Sequence, residues 1–127
     1  MNDIPEPITV LIADDHPATR AGLYAILNGL SDIKVVGEAE DGFQVEKLIA
    51  ELRPNVLLLD LVMPGPTPAQ LEKWVRTNYP EIATLVLTAH DRDAYLAGMM
   101  DAGATGFLAK TEAGERIISA IRRVAGG

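Results

Sequence analysis

The chain has no cysteine. Disulfides, thiolate zinc sites and cysteine nucleophiles are thereby excluded. Histidine is almost as scarce. His16 and His90 are the two present, too few for a histidine-rich metal centre. Basic residues are outnumbered, with 11 Lys plus Arg against 18 Asp plus Glu, a formal charge of -7. A net-acidic domain is poorly suited to binding DNA or an anionic membrane by itself. No apolar run approaches the roughly 18 residues that span a bilayer. Residues 1–7 are acidic and proline-containing, unlike a signal peptide. The expected compartment is a reducing one, the cytoplasm.

The 127 residues are 48% hydrophobic, which excludes a disordered chain and fits one core. The apolar pattern switches period in a regular way. Residues 8–13 form a short, β-branched run that reads as a strand. Pro17 opens a helix with Leu23, Ile26, Leu27 and Leu30 on one face. Residues 34–39 read as a second strand. Asp41 and Gln44 suggest a capping box ahead of a stripe of Val45, Leu48, Ile49 and Leu52, which Pro54 ends. Residues 55–60 (NVLLLD) do not alternate, the mark of a strand covered on both faces. Thr67, Pro68 and Gln70 supply N-cap, N1 proline and capping-box glutamine to a helix carrying Leu71, Trp74 and Val75.

Residues 83–88 are a fourth strand. Asp91 caps a helix with Leu96, Met99 and Met100 on one face, ending near Gly103. Residues 105–109 are a fifth strand, and Ile117, Ile118, Ile121 and Val124 stripe a last helix. Five strands alternating with five helices, joined by right-handed crossovers, make a three-layer α/β/α sandwich around a doubly wound parallel sheet. The chain holds no internal repeat, low-complexity segment or internal linker. Residues 1–7 are expected to be loose, 8–125 to form the domain, and 126–127 to begin a linker.

In an open α/β sheet, ligands bind outside the carboxyl ends of the strands. Strand one ends in Asp14-Asp15, strand three in Asp60 and strand four in Thr88, and strand five ends just before Lys110. Each has an ordinary structural reading: a helix cap, a solvated strand-end acid, a β-former, a snorkelling lysine. Together they place three carboxylates, a hydroxyl and an ammonium on one edge. Grouped acids repel one another unless a positive charge joins them. All-oxygen ligands call for a hard ion, and Mg²⁺ takes one or two carboxylates while keeping waters for a phosphate-containing substrate. A carboxylate beside that ion can attack phosphorus, with Lys110 and Thr88 meeting the charge of the transferring group. Spacing alone leaves open which acid is the nucleophile and which hold the metal.

From about Ile8 to its end, the chain resembles the receiver domain of two-component response regulators. The residues that carry the likeness are Asp14-Asp15, Asp60 in LLLDLVMPG, Thr88-Ala89 and Lys110. The segments LIADDHPATRAGL and AGATGFLAK are similar to the NarL/FixJ-type branch. The resemblance implies a flavodoxin-like, CheY-like sheet of strand order 2-1-3-4-5. It implies that Asp60 accepts phosphate from a sensor histidine kinase. It implies that Asp15, Asp60 and the main-chain carbonyl of Val62 bind Mg²⁺, with Asp14 assisting through water. Lys110 contacts the phosphoryl group, Thr88 moves toward it, and Phe107 occupies the switch aromatic position. The surface around helix four and strand five then changes.

The resemblance further implies a homodimer on activation and control of transcription through a C-terminal helix-turn-helix domain, which this chain does not contain. Two positions depart from the common pattern. Thr111 replaces the proline that often follows the lysine, so a cis bond is not expected, and Phe107 lacks a tyrosine's hydroxyl. Val62 and His90 sit where relatives tune phosphate lifetime. His16 reads as a neighbour of the acids and not a ligand. Two other functions compete. A small Mg²⁺-dependent phosphatase with Asp60 as nucleophile would need an acid where Val62 stands. A phosphorylation-independent binding module would not need all five site residues. A dinucleotide site is disfavoured, since no G-x-G-x-x-G follows strand one.

Overall fold

The computed structural model describes residues 6–88 and 94–126. The elements run β1 (Ile8–Ala13), α1 (Pro17–Leu27), β2 (Ile33–Ala39), α2 (Gly42–Leu52), β3 (Val56–Asp60), α3 (Pro68–Asn78), β4 (Ala83–Thr88), α4 (Ala94–Ala102), β5 (Gly106–Ala109) and α5 (Gly114–Ala125). All strand pairs are parallel, in the order β2-β1-β3-β4-β5. The expected architecture and strand order are both present.

The period-two geometry of the strands divides the core into two clusters. Leu11, Leu57, Leu59 and Val86 face one way and meet Val45 and Ile49 of α2, Leu71 and Val75 of α3, and Leu96 and Met99 of α4. Val10, Ile12, Val56, Leu58, Leu85 and Leu87 face the other way, against Leu23 and Leu27 of α1 and Ile117 and Ile121 of α5. Every residue of β3 is buried, as a strand covered on both faces requires. Asn55 pins the entry to β3, its Oδ1 accepting from the Thr9 main-chain N–H at 2.8 Å and from the Thr9 hydroxyl at 3.0 Å. Among the described residues no helix is long and apolar enough to cross a membrane.

Several boundaries differ from the sequence reading, for local reasons. Helix α1 stops at Leu27, because Gly29 adopts φ 95°, a left-handed conformation that ends a helix. Leu30 therefore lies outside the helix, though it still packs against the core. Asp41 caps α2 by accepting from the Gln44 N–H at 2.8 Å. The Gln44 side chain reaches the N–H of Glu40 and not of Asp41, so that capping box is incomplete. The box at Thr67 and Gln70 is complete. Met100 is 38% exposed and does not share the buried face of Leu96 and Met99. Glu72 of α3 is fully buried, which the apolar pattern did not foreshadow. The Lys110–Thr111 peptide is trans. Asp91, expected to cap α4, and His90 lie outside the described residues.

Candidate functional site

The three acids, Thr88 and Lys110 do gather at the carboxyl edge of the sheet. Asp14 continues β1 by one residue, its N–H donating to the Ala39 carbonyl at 3.0 Å. Pro17 at the first helical position commits the chain to turn there. Within that turn the His16 N–H donates to Asp14 Oδ1 at 2.8 Å. Asp60 ends β3 in register with Leu87. Thr88 ends β4, buried, and its carbonyl accepts from the Lys110 N–H at 2.8 Å. This last bond sets the lysine's height beside the acids.

Lys110 lies between two carboxylates. Its Nζ is 2.9 Å from Asp14 Oδ2 and 3.1 Å from Asp60 Oδ1. Asp14 and Asp60 are almost completely buried, whereas Asp15 is partly open to solvent. One ammonium thus faces two acids at close range, with Asp15 beside them in the same cluster. Asp60 Oδ2 and Asp15 Oδ1 are buried oxygens with no hydrogen bond among the described residues. Such acceptors are costly to leave unmet, and both belong to the same cluster of acids.

The charges perturb one another in distinguishable ways. Burial pushes the Asp60 carboxyl above its ordinary value. Lys110 opposes that, the neighbouring Asp14 reinforces it, and the Val62 N–H also favours the charged form. Burial acts on Asp14 as well, but the His16 main-chain N–H and the Lys110 ammonium outweigh it, so Asp14 lies below its ordinary value. Burial would depress Lys110, yet its contacts with Asp14 and Asp60 hold it above the ordinary lysine value. The pocket therefore contains one acid whose ionised form is favoured, one whose ionised form is disfavoured, and a lysine whose charged form is favoured.

Two neighbours join the site: His16, expected beside the acids, and Arg20, which the sequence reading did not single out. Arg20 of α1 is mostly buried. Its Nη1 donates to the Asp14 carbonyl at 2.6 Å, and its Nε lies 3.4 Å from Glu38. It ties the β1–α1 turn to β2. Its position six residues after Asp14, on the first turns of α1, was the available signal. His16 places Nδ1 3.1 Å from Asp14 Oδ1 and 3.0 Å from Asp15 Oδ1. Val62 is 66% exposed and Phe107, on β5, is 46% exposed. Neither side chain belongs to the buried pocket.

Chemically, the arrangement offers a carboxylate oxygen with no hydrogen bond among the described residues, a lysine to receive negative charge, and oxygens for a hard cation. Sequence comparison matches the response regulator receiver domain over residues 10–122. The chain is 39% identical to the oxygen regulatory protein NreC of Staphylococcus epidermidis over 91% of its length and 53% of that protein's. It is 35% identical to the response regulator GacA of Pseudomonas aeruginosa over 94% of its length and 56% of that protein's. The chain thus spans about half the length of the curated relatives it matches. Among solved structures, a signal receiver domain from Mycobacterium tuberculosis, that of NarL, superposes with a TM-score of 0.91 at 37% identity, covering 97% of this chain and 99% of that one. The non-phosphorylated receiver domain of the stress response regulator RcsB from Escherichia coli gives 0.87 at 30% identity, covering 96% and 95%.

Proposed function

Because the chain belongs to the response regulator receiver domain family, we propose that Asp60 is its phosphoacceptor and that phosphorylation switches the surface around α4 and β5. The observation that carries this is the state of the Asp60 carboxylate. One oxygen is held by Lys110 at 3.1 Å, and the other is buried without a hydrogen bond among the described residues. The second oxygen attacks the phosphorus of a phosphohistidine on a sensor histidine kinase. The new O–P bond forms as the P–N bond breaks, and the departing imidazole carries away the electron pair. Lys110 meets the charge on the phosphoryl oxygens, and the Thr88 hydroxyl turns toward them. The domain's chemistry stays on its own aspartate.

The residues fit Mg²⁺. Asp15, Asp60 and the main-chain carbonyl of Val62 would hold it, with Asp14 acting through water. Asp15 Oδ1, buried without a hydrogen bond among the described residues, is what a hard, oxygen-seeking ion satisfies, and Asp60 would offer the oxygen that does not attack phosphorus. When bound, Mg²⁺ neutralises part of the acid cluster and of the phosphodonor's charge. Val62 and His90 set the phosphate's lifetime, Val62 by offering no polar group to orient a hydrolytic water. The absence of an acid at Val62 also speaks against turnover of an external phosphate ester.

Phe107 is exposed, the outward position from which its ring would turn inward as Thr88 moves. The resulting surface controls a homodimer and, through a C-terminal DNA-binding domain outside this chain, transcription in the cytoplasm. The relatives' names, an oxygen regulatory protein and response regulators, fit that output. The test is intact mass after incubation with acetyl phosphate, with and without Mg²⁺, for the parent and Asp60→Asn. Gain of one phosphoryl group that needs both Mg²⁺ and Asp60 supports the reading. Equal gain by Asp60→Asn overturns it.

A further inference from the structure

The pocket of acids has a nitrogen in its wall. His16 Nδ1 lies 3.0 Å from Asp15 Oδ1, 3.1 Å from Asp14 Oδ1 and 4.0 Å from Asp60 Oδ2. One ligand atom from each of these four residues can be chosen so that all lie within 4.8 Å of one another. A second observation points to a ligand there. Asp60 is 3% exposed, and its Oδ2 is buried without a hydrogen bond among the described residues.

The ring is aimed by the backbone. The His16 N–H is held on Asp14 Oδ1 at 2.8 Å, and Pro17 fixes the start of α1 immediately after it. The side chain is 61% exposed, so an ion can reach it without opening the core.

Imidazole and carboxylate together suit a different ion from carboxylate alone. Mg²⁺ prefers oxygen and keeps its waters. Divalent ions from Fe²⁺ to Zn²⁺ take imidazole nitrogen readily. We propose that His16 Nδ1 is a fourth ligand for such an ion, beside oxygens of Asp14, Asp15 and Asp60, so that the pocket favours divalent transition ions over Mg²⁺ by a margin that depends on His16. The ring coordinates as the neutral tautomer with its proton on Nε2. The inference rests on the acids being a cation site, the reading given above, and it changes which ions that site retains.

The probe is Co²⁺ alone, compared with Mg²⁺ by calorimetric titration of the parent, His16→Ala, His16→Gln, His90→Ala and Asp15→Ala, each checked for folding by circular dichroism. Loss of His16 is expected to weaken Co²⁺ binding by about tenfold or more, the size of effect that disturbing a metal's ligand shell carries. Mg²⁺ binding should not weaken. Bound Co²⁺ should give a far-downfield exchangeable imidazole N–H proton resonance. It should vanish in His16→Ala and persist in His90→Ala, these being the chain's two histidines.

Equal weakening for both ions overturns the proposal, as does no weakening, tighter binding of both, or a resonance that survives His16→Ala. Asp15→Ala tests the underlying reading separately. If it binds both ions as the parent does, the acid site itself is wrong. If it loses both while His16→Ala changes neither, only the histidine's role fails.

Discussion

Glu72 Oε2 accepts from Arg76 at two nitrogens, Nε at 3.1 Å and Nη2 at 2.8 Å, inside the layer between α3 and the sheet. Glu72 is fully buried, and its other oxygen has no hydrogen bond among the described residues. The same guanidinium donates to the carbonyls of Pro80 at 2.9 Å and Ile82 at 2.7 Å and to the Thr84 hydroxyl at 3.3 Å. One arginine thus closes the end of α3 onto the start of β4. Breaking a buried pair by removing one partner costs about 3–5 kcal/mol, because a charge is left without compensation. Arg76→Met should therefore lower the unfolding free energy by that order, read from urea denaturation. Glu72→Leu combined with Arg76→Met should recover much of the loss. Equal losses in the single and double variants would show that the carbonyl contacts, not the buried acid, dominate.

That pair also marks where sequence reading runs out. In QLEKWVRTN a glutamate and an arginine four apart look like a solvated helix pair, and nothing local says otherwise. Their burial is decided by what packs across α3, a long-range matter. β1 and β4, by contrast, begin and end as expected, because each is an apolar run bounded by polar residues. The acids were legible for the same reason, each following directly on a buried strand, and Lys110 because it follows the short apolar run of β5. The place of His16 beside the acids was legible from adjacency, but the role of Arg20 was not, since it depends on how one turn is folded. Leu30 failed as a helix residue because Gly29 at φ 95° intervenes. Met100 failed as a core residue because its face of α4 points outward.

Asp60 should oppose folding at neutral pH in metal-free buffer. Its folded-state value is raised above 3.8, chiefly by burial. Between 3.8 and that higher value the folded protein holds a proton that the unfolded chain has lost, so stability falls as pH rises through this window. Above it the full penalty is present. Asp60→Asn in EDTA should be more stable than the parent at pH 7, by about 1–2 kcal/mol, the scale on which buried charges are relieved by neutral replacements. The advantage should shrink as pH drops toward 3.8. Asp14 works in the opposite direction, since its value is lowered. Its contribution is present above 3.8 and disappears as pH falls through the folded-state value. An Asp60→Asn advantage that does not change with pH would mean that the carboxylate's charge is not its source.

The loop after Asp60 leans on the first turn of α2. The Gly42 N–H donates to the Pro64 carbonyl at 3.0 Å, and a Cβ on Gly42 would lie 2.8 Å from Pro66 Cδ. No real side chain tolerates that approach, and the proline ring has little freedom to retreat. Gly42→Ala should cost about 1–3 kcal/mol, as overpacking does. It should also weaken Mg²⁺ binding, because the displaced loop carries Val62. Gly22→Ala is the control. A Cβ there meets nothing within 4 Å, and Gly22 lies within α1. That change should stabilise by about 0.4–1 kcal/mol through the unfolded chain's entropy and leave Mg²⁺ affinity as it was. Parallel melting curves and Mg²⁺ titrations separate the two effects.

Lys110 and a bound cation should substitute for one another in stabilising the acids. Without metal, the ammonium is the charge that Asp14 and Asp60 share, at 2.9 and 3.1 Å. Its own value is raised above 10.5 by those contacts. Its contribution is therefore complete below 10.5 and is lost as pH rises through the folded-state value. Lys110→Met leaves three acids facing one another and should destabilise the EDTA-treated protein by about 3 kcal/mol at pH 7, as removing one member of a buried ion pair does. The same change makes the pocket more negative, so Mg²⁺ should bind more tightly and raise the melting temperature by more than in the parent, following RT ln(1 + [Mg²⁺]/Kd). Asp15→Ala should reduce the Mg²⁺-dependent shift in both backgrounds. If Lys110→Met melts at the parent's temperature in EDTA, the ammonium is not what compensates these acids. If it melts lower but gains no more from Mg²⁺ than the parent does, lysine and cation do not act on the same oxygens.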